Sequence, residues 1–98
     1  MGMKPSEVLH KNRETIRRVV LMHHTQNPRV FGSVLYGEDT GSSDLDLLVE
    51  AMPGATLFDL GAIQIELEET LGISVDVLTP GDLPAKIRDR ILEEAMPV

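Results

Sequence analysis

The most informative pattern in the chain lies in residues 31–49, FGSVLYGEDTGSSDLDLLV. This segment reads as the end of one strand, a Gly-Ser turn, a polar loop, and a second strand that carries two aspartates. Because Gly32 has no Cβ, the backbone at this turn can come close to a ligand. Ser33 adds a hydroxyl group, and a helical turn beginning near Val34 would point its free amides at an anion. The pattern therefore predicts a phosphate-binding turn next to a strand with carboxylates.

Asp44 and Asp46 are the two aspartates of that second strand, residues 44–49. They are two residues apart, so their side chains leave the same face of the strand, opposite an apolar face. Aspartate is depleted in strands, so a pair of them calls for a reason. Asp76 repeats the arrangement in a third predicted strand, residues 73–78. If these strands are neighbours, the three carboxylates converge and raise one another's pKa values.

A divalent cation would remove that repulsion. Mg²⁺ prefers oxygen ligands and is usually held by one or two carboxylates together with substrate phosphates. Two such ions can stabilise both the attacking and the leaving oxygens of an in-line displacement at phosphorus. The residues thus predict a metal site at Asp44, Asp46 and Asp76, beside a turn that binds the β- and γ-phosphates of a nucleotide.

The rest of the chain predicts the element order helix, strand, strand, helix, strand, helix. About twenty residues, including a helix, separate the second and third strands, which suits a right-handed crossover between parallel neighbours. The expected fold class is therefore α/β (α+β), with a small mixed three-stranded sheet flanked by helices. The predicted elements are a helix from Ser6 to His24, strands at 29–32, 44–49 and 73–78, a helix begun by Thr56 and Asp59 and ended by Gly72, a last helix capped by Asp82, and an extended tail at 96–98.

Composition limits the class of protein. The chain has 98 residues, the length of one domain (1–98), and a formal net charge of -7. Proteins that grip nucleic acid normally have a basic face, so we expect no direct nucleic-acid contact and a basic protein partner instead. No apolar run reaches the roughly 20 residues that span a bilayer, and no leader is evident, which predicts a cytoplasmic protein without membrane contact. Met1 and Gly2 either belong to the natural chain or precede a start at Met3.

The segment 31–49 resembles the signature of the minimal nucleotidyltransferases (MNT) of the DNA polymerase beta superfamily. That signature is a Gly-Ser pair, ten intervening residues and then Asp-x-Asp, and this chain has the same spacing. The predicted element order also fits the family and covers nearly the whole chain. The matching residues are Gly32, Ser33, Gly37, Ser43, Asp44, Asp46 and Val49.

The resemblance implies the nucleotidyltransferase fold and the transfer of a nucleoside monophosphate, AMP from ATP, to a hydroxyl group with release of pyrophosphate. It also implies two Mg²⁺ ions as cofactors. Asp44 and Asp46 would then be catalytic metal ligands. Asp76 would be the third carboxylate, which helps to position or deprotonate the attacking hydroxyl group. The nucleotide-binding residues that the resemblance implies are Gly32, Ser33 and Ser43.

A stand-alone domain of this length most resembles the antitoxin of HEPN/MNT toxin–antitoxin pairs. That resemblance implies adenylylation of a tyrosine on a HEPN ribonuclease toxin, within a homo- or hetero-oligomer. An alternative is a catalytically weak or inactive module that neutralises a basic partner by direct binding, because Tyr36 stands where many members carry a basic residue. Transfer to a small molecule such as an aminoglycoside is a third hypothesis, for which a further acceptor-binding domain is usual.

The sequence leaves open whether several basic, acidic and aromatic residues belong to the site. Lys86, Arg88 and Arg90 either supply the missing positive charge or form a solvated helix face. Glu38 and Asp39 lie in the motif loop, where a substrate could contact them. The aromatic candidates for base stacking are Phe31, Tyr36 and Phe58.

Overall fold

The computed structural model describes residues 3–98, so Met1 and Gly2, whose origin the sequence left open, lie outside the described residues. Residues 3–98 form four α-helices and one sheet of four strands. None of the helices in this range has the length and apolar character that a bilayer crossing requires. The helices α1–α4 are Pro5–Lys11, Arg13–Met22, Leu57–Leu71 and Ala85–Glu94, the strands β1–β4 are Thr25–Phe31, Leu45–Ala51, Val75–Leu78 and Met96–Pro97, and short 3₁₀ turns span Gly32–Val34 and Pro80–Asp82.

The sheet is mixed, as predicted, with strand order β3-β2-β1-β4. Strand β1 is antiparallel to both β2 and β4, and β2 is parallel to β3 through the α3 crossover. The expected number of three strands is wrong, because Met96–Pro97 pairs with Arg29 and Val30 and forms β4. A strand of two residues is too short to show the alternation that marks a strand in sequence. Its place is reinforced by the Val98 N–H, which donates to the Pro28 carbonyl at 2.9 Å.

The helix predicted from Ser6 to His24 is two helices, α1 and α2, which are separated at Asn12. The Asn12 side chain donates to the Val8 carbonyl at 2.8 Å and so satisfies the end of α1. Asparagine side chains compete with the backbone for such hydrogen bonds, which interrupts the helical pattern. Helix α2 then begins anew, with the Ile16 N–H donating to the Asn12 carbonyl at 3.0 Å.

Asp82 does not cap the last helix, contrary to the prediction. Its Oδ2 accepts hydrogen bonds from the Thr79 N–H and the Thr79 hydroxyl, both at 2.9 Å, and so closes the turn Pro80–Asp82. Pro84 then precedes α4, which begins at Ala85. The capping interaction therefore belongs to the 3₁₀ turn before the helix, where Thr79 is the cap and Asp82 is the third residue.

The predicted ends of α3 are confirmed. The Thr56 N–H donates to Asp59 Oδ2 at 2.8 Å across the first turn of the helix. Gly72 follows the last helical residue with φ +71°, a left-handed conformation that costs glycine little. The crossover between β2 and β3 therefore has defined limits, which helps to fix the register of the two strands.

The main core lies between one face of the sheet and helices α2 and α3. Strand β2 directs Leu45, Leu47 and Val49 to this face, as the alternation predicts, and all three are fully buried. Leu48 points to the opposite face and is buried as well, where the turn Pro80–Asp82 contacts β2. The aspartate-bearing face is therefore covered at one end of β2. The helices contribute mainly Ile16, Val20, Ile63 and Leu67 to the main core.

The motif loop between β1 and β2 is anchored to helix α1 by Asp39. This side chain is only 6% exposed, and its Oδ2 accepts a hydrogen bond from the Ser6 N–H at 2.9 Å. Burial disfavours the charged form, but hydrogen bonds from the Ser6 backbone and side chain outweigh it and lower the pKa of Asp39. Asp39 therefore satisfies a free amide in the first turn of α1 and does not face a substrate.

We expect Asp39→Ala to lower the free energy of unfolding by about 1–3 kcal/mol at pH 7, because the Ser6 N–H loses its buried partner. Thermal or urea unfolding measures this loss, and Glu38→Ala, at an exposed neighbour in the same loop, is the matched control. Because the pKa of Asp39 is lowered, its contribution is present above the ordinary value of 3.8 and disappears as the pH falls through the folded-state value. Equal stability of the two variants at pH 7 would contradict the anchoring role.

Candidate active site

The Gly-Ser pair forms a tight turn directly at the end of β1. Gly32 has φ +75° and begins the 3₁₀ turn Gly32–Val34, two residues earlier than the sequence suggested. The Gly32 carbonyl accepts hydrogen bonds from the Leu35 N–H at 3.1 Å and the Tyr36 N–H at 3.4 Å. The Ser33 carbonyl is also engaged, since it accepts from the Glu38 N–H at 2.9 Å. The turn is therefore a closed unit held by its own backbone hydrogen bonds.

Gly32 lies against the carboxylate of Asp46. A Cβ placed on Gly32 would come within 2.3 Å of Asp46 Oδ2, which is shorter than any real contact. The antiparallel register explains the approach, because Phe31 pairs with Asp46 and Gly32 follows Phe31. Two features therefore favour glycine at position 32: its left-handed backbone and the lack of room for a Cβ unless the Asp46 carboxylate moves. This contact joins the turn and the carboxylates into one site.

The three predicted carboxylates lie at the same end of adjacent strands. Asp46 and Asp76 are register partners on the parallel strands β2 and β3, with backbones about 4.8 Å apart, and Asp44 directly precedes β2. Asp46 is half-buried, whereas Asp44 and Asp76 are exposed. Burial, and then repulsion from Asp76 and from Asp44, raises the pKa of Asp46 to about 6. The electrostatic repulsion that the sequence predicted is thus present at Asp46.

The donor set suits a divalent cation that a substrate completes. The side chains of residues 3–98 do not form a preassembled group of three or more His, Cys, Asp or Glu ligands. Mg²⁺, however, commonly binds through one or two carboxylates plus phosphate oxygens and does not need a cage made of protein alone. Burial is the main cause of the raised pKa of Asp46, and the negative charges of Asp76 and Asp44, which a cation would offset, add to it. Asp46 and a neighbouring carboxylate are therefore a donor set that substrate phosphates could complete, and the metal site of three aspartates stays a prediction.

Ser43 lies apart from the Gly-Ser turn. Its Oγ accepts a hydrogen bond from the Thr40 N–H at 2.8 Å, and its N–H donates to the Thr40 carbonyl at 3.0 Å. It lines a recess of about 360 Å³ with Gly72 and Ser74, at the start of β3, whereas Gly32 lines a different cavity. The hydroxyl of Ser43 thus closes a turn just before Asp44, and its role in this structure is to shape the loop.

A cavity of about 350 Å³ opens beside Gly32, between the turn and helix α4. Of the three aromatic candidates for base stacking, two line it, while Phe58 is 89% exposed on α3. The cavity also contains a cation, Arg90, which sequence reasoning left undecided. The sequence feature that indicates this position is the apolar stripe of α4, because Arg90 lies between Ile87 and Ile91 at helical spacing. The lining residues are Phe31, Gly32, Tyr36, Ile87, Arg90 and Ile91.

The other two basic residues of α4 do not line this cavity. Arg88 donates from Nε to the Pro80 carbonyl and from Nη2 to the Leu83 carbonyl, both at 2.9 Å, so its guanidinium fastens the start of the helix. Lys86 is exposed to solvent. The solvated-face interpretation therefore suits Lys86, a structural role suits Arg88, and Arg90 is the cation that borders the Gly-Ser turn.

We expect Gly32→Ala to destabilise the fold more than Gly37→Ala. Both glycines have positive φ, +75° and +68°, so both substitutions cost about 1–2 kcal/mol for a left-handed alanine. A Cβ at Gly37 meets nothing within 4 Å, whereas a Cβ at Gly32 meets Asp46 and adds roughly 1–3 kcal/mol of overpacking. Urea unfolding of the two variants isolates that contact. Adding Asp46→Ala to Gly32→Ala should recover the difference, and equal losses for the two glycines would contradict it.

In metal-free buffer, the raised pKa of Asp46 should make stability fall as the pH rises from 3.8 to about 6. Over this range the folded protein holds a proton that the unfolded chain has released, so deprotonation favours unfolding. Asp46→Asn should remove the slope and stabilise the protein at pH 7 by about 1–2 kcal/mol, after allowance for solvent screening. Urea unfolding between pH 4 and 7.5 measures this. Parallel pH profiles for the two proteins would be the contrary result.

Comparisons with known proteins agree with this geometry. The family described as "Nucleotidyltransferase domain" matches residues 13–97. A protein of Methanocaldococcus jannaschii named "putative protein adenylyltransferase MJ0435" is 42% identical over 80 residues, which cover 82% of this chain and 86% of the relative. A solved structure described as "Structure of putative minimal nucleotidyltransferase" superposes with a TM-score of 0.85 at 38% identity, over 100% of this chain and 97% of the other.

A second solved structure shares the fold at lower identity. "Crystal structure of the toxin-antitoxin with AMP-PNP" superposes with a TM-score of 0.74 at 18% identity, over 88% of this chain and 71% of the other. The mixed sheet, the Gly-Ser turn and the paired aspartates agree with the family match over most of the chain. The chain belongs to the nucleotidyltransferase domain family.

Proposed function

We propose that the chain is a divalent-metal-dependent protein adenylyltransferase, which transfers AMP from ATP to a tyrosine of a HEPN ribonuclease toxin and acts as its antitoxin. The observation that carries the proposal is the contact of Gly32 with Asp46, because it brings a phosphate-binding turn against a carboxylate cluster. The name of the 42%-identical relative supports transfer of an adenylyl group to a protein. The antitoxin role rests on the resemblance of the motif to the HEPN/MNT antitoxins.

The Gly-Ser turn is the proposed site of the β- and γ-phosphates. The absence of a side chain at Gly32 lets the turn lie directly against the Asp46 carboxylate, and the Ser33 hydroxyl would supply a hydrogen-bond donor to a phosphate. The hydrogen bonds that Leu35, Tyr36 and Glu38 make to the carbonyls of the turn fix its shape before a nucleotide binds. Such preorganisation reduces the entropy lost when the phosphates are held in place. Ser43, the third predicted nucleotide-binding residue, would act indirectly by holding the loop that ends at Asp44.

Asp44, Asp46 and Asp76 are the proposed ligands for Mg²⁺, with two ions as the expected number. When bound, Mg²⁺ supplies charge that stabilises the transferring phosphoryl group and the leaving oxygen. Above the raised pKa of about 6, Asp46 is ionised and can take part in this binding. Because Asp46 lies between Gly32 and its register partner Asp76, the α-phosphate would lie at this end of β2 and β3.

Asp76 is the proposed acceptor of the proton from the attacking hydroxyl group. It is exposed next to Asp46, where a phenol of another protein can reach it. In the proposed step the phenolic oxygen forms a bond to the α-phosphorus while the bond to the pyrophosphate oxygen breaks. The phenolic proton moves to the Asp76 carboxylate, and pyrophosphate leaves. The net charge of -7 favours a basic protein as the partner that carries the phenol.

The direct test incubates the protein with labelled ATP, Mg²⁺ and the product of the neighbouring gene. We expect label on a tyrosine of that partner and a loss of about 10³-fold in rate for Asp46→Asn, since metal binding contributes several kcal/mol to such reactions. Glu38→Gln, at an exposed loop position, is the control and should keep the activity. Circular dichroism confirms that each variant is folded, and EDTA should abolish labelling. No label with both proteins folded would refute the proposal.

A toxicity measurement on aspartate variants separates catalysis from neutralisation by direct binding. The direct-binding alternative is favoured by Tyr36, which stands at a position that is basic in many members. It predicts that Asp44→Asn and Asp46→Asn still silence the toxin without any covalent change. The enzymatic proposal predicts that both variants lose neutralisation together with labelling. Toxicity of the partner in cells expressing each variant therefore decides between the two.

A further inference from the structure

We propose that Arg90 on helix α4 is the cationic ligand of the nucleotide triphosphate. This inference rests on the nucleotide site of the proposed function and deepens it. It assigns the positive charge of that site to an element far away in sequence from the motif. The observation behind it is that Arg90 and Gly32 line the same cavity of about 350 Å³.

The placement of Arg90 follows from the spacing of α4. Positions three and four apart lie on one side of a helix, so Ile87, Arg90, Ile91 and Glu94 form a single stripe. The two isoleucines and Arg90 line the cavity beside Gly32. Lys86 is one position out of this stripe and does not line the cavity. The geometry therefore directs one basic residue of α4 toward the proposed phosphates.

The charge balance of the site calls for such a residue. A triphosphate is a polyanion, and the Gly-Ser turn by itself offers only neutral donors. The carboxylates of Asp44, Asp46 and Asp76 add negative charge nearby, and two Mg²⁺ ions would offset only part of the combined charge of these carboxylates and a triphosphate. Among the cavity-lining residues within 3–98, Arg90 carries the positive charge. An arginine is well suited to this task, because its planar fork of N–H donors matches phosphate oxygens.

Arg90 is paired with Glu94, four residues further along the same helix. Arg90 Nε donates to Glu94 Oε1 at 3.4 Å, and the Tyr36 hydroxyl donates to Glu94 Oε2. The Arg90 side chain is 73% exposed, and an exposed pair of this kind is weak, so the guanidinium is free to exchange Glu94 for a phosphate. Tyr36 is therefore a positioning residue, which keeps the Glu94 carboxylate beside the cavity. It does not contact the phosphates in this scheme.

Titration calorimetry tests the assignment, with Mg²⁺ present and two probes: inorganic tripolyphosphate and a non-hydrolysable ATP analogue. Arg90→Ala should weaken both by about 10- to 100-fold, which is the loss of a charge-assisted hydrogen bond. Lys86→Ala removes the same charge from the neighbouring face of α4 and should change either affinity by no more than about 3-fold. If Arg90→Ala and Lys86→Ala weaken tripolyphosphate equally, the assignment is overturned.

A rescue experiment distinguishes a phosphate ligand from a merely structural arginine. Adding Tyr36→Arg to Arg90→Ala returns a basic residue to the motif position and should restore tripolyphosphate binding to within about 3-fold of the original. Glu94→Gln should tighten tripolyphosphate binding in the native chain, because the Glu94 carboxylate no longer competes with the phosphates for Arg90. The same substitution should have no such effect in the Arg90→Ala background. Failure of the rescue, or equal tightening by Glu94→Gln in both backgrounds, contradicts the proposal.

These outcomes are separable from the fate of the proposed function. Loss of tripolyphosphate binding in Arg90→Ala, without labelling of any partner by the native chain, supports the Arg90 assignment and refutes the proposed acceptor. If the native chain labels its partner and Arg90→Ala keeps full nucleotide affinity, the proposed function is supported and the Arg90 assignment is refuted. A native chain that binds neither probe overturns both.

Discussion

The approach of the Asp46 carboxylate to the Cα of Gly32 is the constraint on which the structure depends. It follows from the pairing of β1 with β2, in which Phe31 faces Asp46 and Val30 faces Leu47. A shift of one residue in this register would move Asp46 into the core and Leu47 to the surface. The hydrophobic pattern that folds the sheet and the contact that forms the site are therefore set by the same pairing, and neither can change alone.

The parallel pair of β2 and β3 adds the electrostatic part of the site. Its register places Asp76 beside Asp46, and burial, followed by repulsion from Asp76 and Asp44, raises the pKa of Asp46. A domain optimised only for stability would avoid such a cluster, and perturbed carboxylates of this kind are typical of functional sites. Burial of Leu45 and Leu47 on the core face of β2 offsets the cost, since each fully buried leucine contributes about 1.5–3 kcal/mol.

Sequence alone predicts those features that depend on local chemistry. The ends of α3 follow from Thr56 and Gly72, and the common face of Asp44 and Asp46 follows from the period of a strand. Long-range choices are not visible in the same way: a two-residue strand pairs with Arg29, and Asp39 turns inward to reach Ser6. Arg90 belongs to the same class, because the spacing of α4 fixes which residues share a face but not which cavity that face borders.

The difference between local and long-range features explains why the steric requirement at Gly32 is tied to one position, whereas the positive charge can come from different positions in the chain. The carboxylate of Asp46 needs a position without a Cβ beside it, so the steric demand at Gly32 cannot be met from elsewhere in the chain. A positive charge for a phosphate is a weaker demand, because Coulomb attraction depends on distance and surroundings and not on chain connectivity. Any element that lines the cavity can supply that charge, and α4 does so here through Arg90. In the proposed scheme a tyrosine at position 36 is therefore compatible with phosphate binding, whereas a Cβ at position 32 meets the Asp46 carboxylate.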